Sequence, residues 1–185
     1  RVAGHDVREY TLENLRQNVA MVLQKNVLFS GTIDSNIRYG KTDISETEVK
    51  EAAEVAQATE FIDAKPKQYA SPIAQGGTNV SGGQKQRLSI ARAIAKKPEI
   101  FIFDDSFSAL DFKTDSTLRK ALKEHTKDAT TIIVAQRIST ILNADKIIVL
   151  DDGHMAGIGT HGELMKNCEV YRQIAMSQLS EEELA

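Results

Sequence analysis

The sequence contains no tryptophan, a single cysteine and three prolines. Because Cys168 is the one thiol, no intrachain disulfide can form, and a reducing compartment is favoured. The longest apolar runs, such as residues 131–135 and 147–150, fall far short of the roughly 20 residues that a membrane-spanning helix needs. The sequence therefore predicts neither a membrane span nor a disulfide framework.

The sequence also lacks an excess of charge of either sign. Its net charge is −3, so it offers no general electrostatic attraction to nucleic acid. A hydrophobic fraction of 41% with 26% charged residues is ordinary for a globular protein, and 185 residues are enough to bury a core. We expect one globular domain or a piece of one, with no nucleic-acid partner.

A phosphate-binding P-loop, G-x-x-x-x-G-K followed by Ser or Thr, is absent as well. Gly40, Lys41 and Thr42 imitate its end, but Ser35 stands where the first glycine would be. No buried strand precedes them. We predict a turn at this position.

The most informative segment is residues 78–111. Ser81, Gly82, Gly83 and Gln84 open a run whose apolar residues recur at helical spacing. A serine N-cap leaves the first backbone N–H groups unpaired, and two glycines keep Cβ atoms away, so an anion such as a phosphate can approach closely. The segment predicts a helix that begins at Ser81, ends before Pro98 and can contact phosphate.

Residues 100–103 follow this helix as an unbroken apolar run, which predicts a strand buried on both faces of a parallel sheet. Residues 130–135 predict a second strand of the same kind. Asp104 and Asp105 stand where the first of these strands ends. Ligands bind at the carboxyl ends of strands in open α/β sheets, and carboxylate oxygens there suit Mg²⁺.

Three motifs in this segment resemble those of ATP-binding cassette (ABC) ATPases. VSGGQKQR at residues 80–87 is similar to the signature motif, IFIFDD at 100–105 to the Walker B strand, and SALD at 108–111 to the D-loop. The resemblance implies ATP and Mg²⁺ as cofactors. Ser81, Gly82, Gly83, Gln84 and Asp111 would contact nucleotide, and Asp104 would bind the metal ion.

Residues 22–40 resemble the Q-loop region of exporter-type ABC domains, in which Gln24 would reach Mg²⁺ and the γ-phosphate. Residues 71–77 take the place of the X-loop, with Gln75 where the family often has glutamate. The resemblance implies an apolar surface that receives a coupling helix of a transmembrane domain, and plain core packing is the alternative for each of its residues. That surface would contain Val27, Leu28, Phe29, Ile33, Ile37 and Tyr39.

The implied fold class is α/β, a P-loop NTPase-type ABC ATPase domain with a mostly parallel sheet, flanking helices and a small helical lobe. Residues 1–40 would form part of the catalytic core lobe with the Q-loop, and residues 41–80 the helical lobe and X-loop. Residues 81–185 would hold the signature helix, Walker B, D-loop, switch region and C-terminal helices. The family's Walker A motif lies upstream of the position that matches Arg1, so we expect an N-terminally truncated domain.

Two substitutions depart from the family pattern. Asp105 stands where the family has the glutamate that polarises the attacking water, and it is one methylene shorter. Gln136 stands where the family has the switch histidine. Both positions belong to the catalytic side of one composite site, while the signature motif is intact. This combination resembles the degenerate half of a heterodimeric bacterial exporter.

The resulting hypothesis is an ATPase domain of an exporter at the cytoplasmic face of a membrane, paired with a second nucleotide-binding domain and with coupling helices. Its own Walker-side site would be weakly hydrolytic, and the fragment alone inactive. Three alternatives stay open: a homodimeric exporter that uses Asp105 as the base, a non-transport ABC ATPase of translation or chromosome maintenance, and a simple interaction module.

Overall fold

The computed structural model describes residues 1–41 and 43–179, without the side chain of Phe112. It forms two compact units, one ending at Val134 and the other beginning at Ala135, and each has its own apolar core. Thr42, the last residue of the P-loop look-alike, lies outside the described residues. Gly40 has a φ of 91° and follows a helix that ends at Ile37, so no strand leads into this segment.

The first unit combines short strands with helices. Its strands are β1 (Val19–Val22), β2 (Gly31–Thr32), β3 (Pro72–Ile73), β4 (Ile100–Asp104) and β5 (Thr130–Val134). Its helices are α1 (Leu12–Asn18), α2 (Ile33–Ile37), α3 (Glu46–Val55), α4 (Thr59–Asp63), α5 (Gly82–Ala95) and α6 (Phe112–His125).

A parallel sheet with the order β1-β4-β5 organises this unit. Val22 lies beside Phe103, and Phe103 beside Ile133, so the three strands end together at one edge. Strands β2 and β3 form a separate antiparallel pair. The predicted α/β class with a parallel sheet is confirmed.

Burial within the parallel sheet differs from the prediction. In β4, Phe101 and Phe103 are buried, whereas Ile100 and Ile102 on the opposite face are half-buried. In β5, most residues are exposed, and Ile132 keeps 48% of its surface accessible. The expectation of burial on both faces is therefore wrong, because the core helices cover the Phe101 face and β5 pairs only with β4 in the described residues.

Most helices of this unit begin at side-chain caps, whereas α4 follows Ala58 and has no such cap. Ser45 and Glu48 form a reciprocal capping box at the start of α3, since each side chain bonds the other residue's backbone N–H. α3 ends at Val55, and Gln57 then takes a left-handed φ of 54°. Local hydrogen bonding at the N-cap fixes where the helix begins.

The second unit is a hairpin packed against helices. Its elements are α7 (Ile138–Ile141), β6 (Ile147–Asp151), β7 (His154–Gly159), α8 (His161–Asn167) and α9 (Glu169–Gln178). The antiparallel pair β6–β7 is joined by Asp152 and Gly153, which both have positive φ. Val149, Leu164 and Tyr171 belong to its core. Among residues 1–41 and 43–179, no helix has the length and apolarity needed to cross a lipid bilayer.

Candidate nucleotide site

The start of α5 has the cap that the sequence predicts. Ser81 Oγ accepts from the Gln84 backbone N–H at 3.2 Å, and the Ser81 N–H donates to Gln84 Oε1 at 3.1 Å. The two side chains thus form a reciprocal box, in which the Gln84 amide is turned back onto the cap. The box fixes the direction in which the first N–H groups of α5 point.

The two glycines that follow have different surroundings. A Cβ added at Gly82 would meet nothing within 4 Å, so the first turn is open to an approaching group. A Cβ at Gly83 would lie 3.4 Å from the carbonyl oxygen of Ala109, which places the 108–111 loop against α5. The open surface at Gly82 fits a phosphate at a helix N-terminus.

Gln24 and Asp105, which are 81 positions apart, meet at the carboxyl edge of the parallel sheet. Gln24 Nε2 donates to Asp105 Oδ2 at 3.0 Å. Asp105 has a left-handed φ of 44°, and its N–H donates to the Val134 carbonyl at 2.9 Å. Asp104 is the last residue of β4 and is paired with Val134. The edge therefore combines two carboxylates with an amide, as the sequence predicts.

Asp111 caps the next helix of the first unit. Its carboxylate Oδ1 accepts from the Thr114 N–H at 3.0 Å at the start of α6. This backbone hydrogen bond lowers the pKa of Asp111, so the side chain is a carboxylate. Its predicted contact with nucleotide stays a prediction.

Gln136 lies in the second unit, in the segment before α7. Its backbone carbonyl accepts from Gln178 Nε2 at 2.9 Å, and Gln178 Oε1 accepts from the Ile138 N–H at 2.9 Å. α9 thus holds the backbone around Gln136 in place. The catalytic role of the Gln136 side chain stays a prediction.

The six residues of the predicted coupling surface separate into two groups. Leu28, Ile33 and Ile37 are completely buried and belong to the core, so their assignment to a surface is wrong. Ile33 and Ile37 are one turn apart in α2, which packs against α5. The other three residues are 40–54% exposed and form a surface patch, consisting of Val27, Phe29 and Tyr39.

This patch is ordered by ring stacking. The Phe29 and Tyr39 rings stack with centroids 4.2 Å apart. The Arg92 guanidinium of α5 lies 5.3 and 5.4 Å from the two ring centroids. The Gly76 N–H of the X-loop donates to the Leu28 carbonyl at 3.0 Å, so the Q-loop and the X-loop are joined beside the patch.

Sequence reasoning missed a buried polar side chain in α5. Gln86 is 3% exposed, and it bonds Asn26 of the Q-loop and the Ser106 carbonyl of the loop after β4. A signal was present, because Gln86 falls one and two turns before the buried Ile90 and Ala93 on the helical period. A polar residue on the buried face of a helix needs a partner.

A model of the ABC transporter family matches residues 1–108. An ABC transporter ATP-binding protein of Mycobacterium bovis is 46% identical over 180 residues, which are 96% of this chain and 31% of that protein. A Bacillus subtilis protein, named as an ATP-binding/permease protein for multidrug export, is 44% identical over 173 residues, or 94% of this chain and 30% of its own length.

A solved structure, that of a bacterial Atm1-family ABC exporter with ATP bound, has a TM-score of 0.91 and 38% identity. The match covers 96% of this chain and 31% of that one. This chain thus spans about three tenths of the length of the relatives that it matches. With a family model over more than half of its residues, the chain belongs to the ABC transporter family, within the ATP-binding domain.

Proposed function

We propose that the chain is the ATP-binding part of an exporter subunit, in which ATP hydrolysis drives substrate across a membrane. The names of its relatives, which refer to multidrug export and to an ATP-binding/permease protein, support this proposal. For its organisation we propose part of the core lobe with the Q-loop at residues 1–40 and the helical lobe with the X-loop at residues 41–80. Residues 81–185 would hold the signature helix, Walker B, D-loop, switch region and C-terminal helices. The cofactors would be ATP and Mg²⁺.

The residues present fit these cofactors. The open first turn of α5 at Gly82 leaves N–H donors accessible to phosphate oxygens. Asp104 and Gln24 offer the oxygen ligands that Mg²⁺ prefers, since Asp104 is the last residue of β4 and Gln24 lies two residues after β1 at the same sheet edge. When bound, the metal ion would neutralise charge on the phosphates.

We further propose that the two nucleotide sites of the dimer are asymmetric, with weak hydrolysis at the Walker side of this chain. The observation that supports this asymmetry is the hydrogen bond from Gln24 to Asp105. A general base must lie within hydrogen-bond reach of the proton that it removes, a contribution worth on the order of 10² to 10⁴ in rate. Asp105 is short, and its Oδ2 is occupied by the amide of its own Q-loop. We therefore propose that Asp105 contributes little general-base catalysis at the chain's own Walker-side site. Gln136 stands in place of a histidine, so a second catalytic group is missing there.

The signature side has no such defect. Ser81, Gly82, Gly83 and Gln84 are arranged as an intact helix start, with Asp111 on the adjoining loop. We place this side against a second nucleotide-binding domain whose own glutamate performs hydrolysis. The patch of Val27, Phe29 and Tyr39 would receive a coupling helix at the cytoplasmic face of the membrane.

The test is the steady-state ATPase rate of the full-length exporter with its partner subunit. Ser81→Ala should lower the rate about 100-fold, because it removes the hydroxyl that would contact phosphate in the proposed composite site. Asp105→Asn should change it less than about twofold, because Asp105 supplies little general-base catalysis and the remaining amide oxygen can still accept from Gln24.

Ser45→Ala is the matched control, because Ser45 forms the same kind of capping box at α3, away from the signature motif. It should leave the ATPase rate unchanged. If Asp105→Asn is as damaging as Ser81→Ala, Asp105 is a working base, and a homodimeric exporter replaces the asymmetric one.

A further inference from the structure

A chain of hydrogen bonds crosses the interior of the first unit through Gln86. Asn26 Nδ2 donates to Gln86 Oε1 at 2.7 Å, and Gln86 Nε2 donates to the carbonyl of Ser106. Ser106 Oγ in turn donates to the Val22 carbonyl at 2.8 Å, at the end of β1. Gln86 and Ser106 are both buried, so water has little access to the bond between them or to the bond from Ser106 to Val22.

The direction of each bond is fixed by chemistry. The Ser106 carbonyl can only accept, so the NH₂ group of Gln86 must face it. The oxygen of Gln86 then faces Asn26, which must donate. Each polar group in this series of hydrogen bonds has a partner. Replacing one member leaves the others without their partners, at a cost of about 1–3 kcal/mol.

Two members of this series of hydrogen bonds are close in sequence to the pair at the sheet edge. Asn26 is two residues after Gln24, and Ser106 directly follows Asp105; Gln24 and Asp105 bond each other. The centre of the chain, Gln86, is two residues after Gln84 on the first turns of α5. One side chain thus connects the Walker-side loops with the signature helix.

We propose that Gln86 is a positioning residue that couples the Walker-side loops of this chain to its signature helix. This inference rests on the proposed function, in which the signature helix acts on the opposite nucleotide site. A displacement of the Gln24 or Asp105 loop moves Asn26 or Ser106, and the Gln86 amide passes the displacement to α5. The state of one site thereby sets the position of the phosphate-facing helix at the other.

The test uses the full-length exporter with Gln86→Met, which keeps the length of the side chain and removes both hydrogen-bonding groups. Coupling residues of this kind change rates by about 2- to 30-fold. We expect kcat for ATP hydrolysis to fall about fivefold. KM for ATP should stay within about twofold, because none of the residues in this series of hydrogen bonds is proposed to contact nucleotide.

Ser89→Ala is the matched control on the same helix. Ser89 is also buried, and its Oγ has no hydrogen-bond partner within the described ranges. Its removal should leave kcat, KM and the thermal unfolding midpoint unchanged. A fall in kcat for Gln86→Met but not for Ser89→Ala would come from the loss of the hydrogen-bonded Gln86 amide. It would not come from the removal of a buried polar atom in general.

A second variant interrupts the chain at its half-buried end. Asn26→Ala should lower kcat in the same way, and the double variant should be no worse than Gln86→Met alone, because both changes break one pathway. This variant carries the test if Gln86→Met does not fold. Gln86→Glu should recover kcat relative to wild type as the pH is lowered, since a protonated carboxyl can again donate to Ser106.

The outcomes distinguish the two levels of inference. If wild-type exporter shows no ATP turnover, the proposed function is wrong, and the coupling role falls with it. If wild type is active but Gln86→Met has the same kcat, the coupling role alone is wrong. A raised KM with unchanged kcat, or additive losses in the double variant, would likewise contradict the coupling role.

Discussion

Arg92 of α5 has the most extensive set of side-chain contacts near the exposed patch. Its Nε donates to the Asn36 carbonyl at 2.8 Å, its Nη2 to Asn36 Oδ1 at 2.9 Å and its Nη1 to the Val27 carbonyl at 3.0 Å. Burial lowers the pKa of Arg92, but a guanidinium remains a cation at neutral pH. The planar fork satisfies several acceptors while it contacts the Phe29 and Tyr39 rings.

Arg92→Lys should therefore destabilise the protein although it conserves charge. An ammonium cannot reproduce the fork or the stacking, so the acceptors at Asn36 and Val27 lose hydrogen bonds from Arg92, at a cost of about 2 kcal/mol. The thermal unfolding midpoint of the full-length protein should fall by about 4–8 °C.

Arg8→Lys is the control for that substitution, because the Arg8 side chain is 86% exposed and pairs only with nearby Asp6 in the described structure. It should leave the midpoint unchanged. Equal midpoints for Arg92→Lys and Arg8→Lys would show that the buried fork contributes nothing to stability.

Single residues were predictable where a local pattern defines them. Ser81 is a cap that can be recognised from the three residues that follow it, whereas the sequence pointed to nucleotide contact at Asp111 and its cap at α6 was not predicted. Asn26 and Gln86 are 60 positions apart, and their bond depends on how a loop packs against a helix. No spacing rule within one sequence contains that information.

At the scale of elements, α3 illustrates how a cap joins two parts of the fold. Glu48 Oε2 accepts from the Ser45 N–H at 2.8 Å, and Glu48 Oε1 pairs with Lys97 Nζ at 2.6 Å. Lys97 has a left-handed φ of 51° and lies just beyond the end of α5. The bonds from Lys97 and Ser45 lower the pKa of Glu48 from 4.5 to about 2.

Glu48→Gln should lower the thermal unfolding midpoint of the full-length protein at neutral pH. A carboxyl whose pKa is depressed in the folded state stabilises the protein fully above its unfolded pKa of 4.5. This stabilisation is lost as the pH falls through the folded value of about 2. The midpoint difference between wild type and Glu48→Gln should therefore shrink from pH 4.5 downward.

Glu51→Gln provides the comparison, since Glu51 is an exposed carboxylate of the same helix outside its cap. Its effect on the midpoint should be small at neutral pH. If the Glu48→Gln difference is the same at neutral and acid pH, the charge of Glu48 does not stabilise the cap.

Element boundaries were predictable for physical reasons that do not extend to burial. N-caps, prolines and glycines act within a few residues, so the starts of α3, α5 and α8 follow from the sequence. Burial depends on what covers a strand. Residues 130–135 have the composition of a buried strand, yet β5 is an exposed edge strand in the structure.

At the scale of the whole molecule, both units have strand edges without a partner in the described residues. β5 pairs only with β4, and β6 pairs only with β7. Apolar side chains are exposed on these strands, with Val134 at 52% and Leu150 at 68% accessible surface. An unpaired strand edge with exposed apolar side chains is a template for pairing with another chain.

We therefore expect the isolated 185-residue chain to self-associate in solution. Ile132→Lys combined with Val134→Lys should reduce the association, because charges on an edge strand oppose pairing. Sedimentation velocity over a range of protein concentrations measures the change.

Leu12→Lys removes a 67% exposed leucine from α1, outside the strands, and should leave the association unchanged. If that variant reduces association as much as the β5 variants, general surface hydrophobicity is responsible. A wild-type chain that stays monomeric at every concentration would show that these strand edges do not mediate self-association.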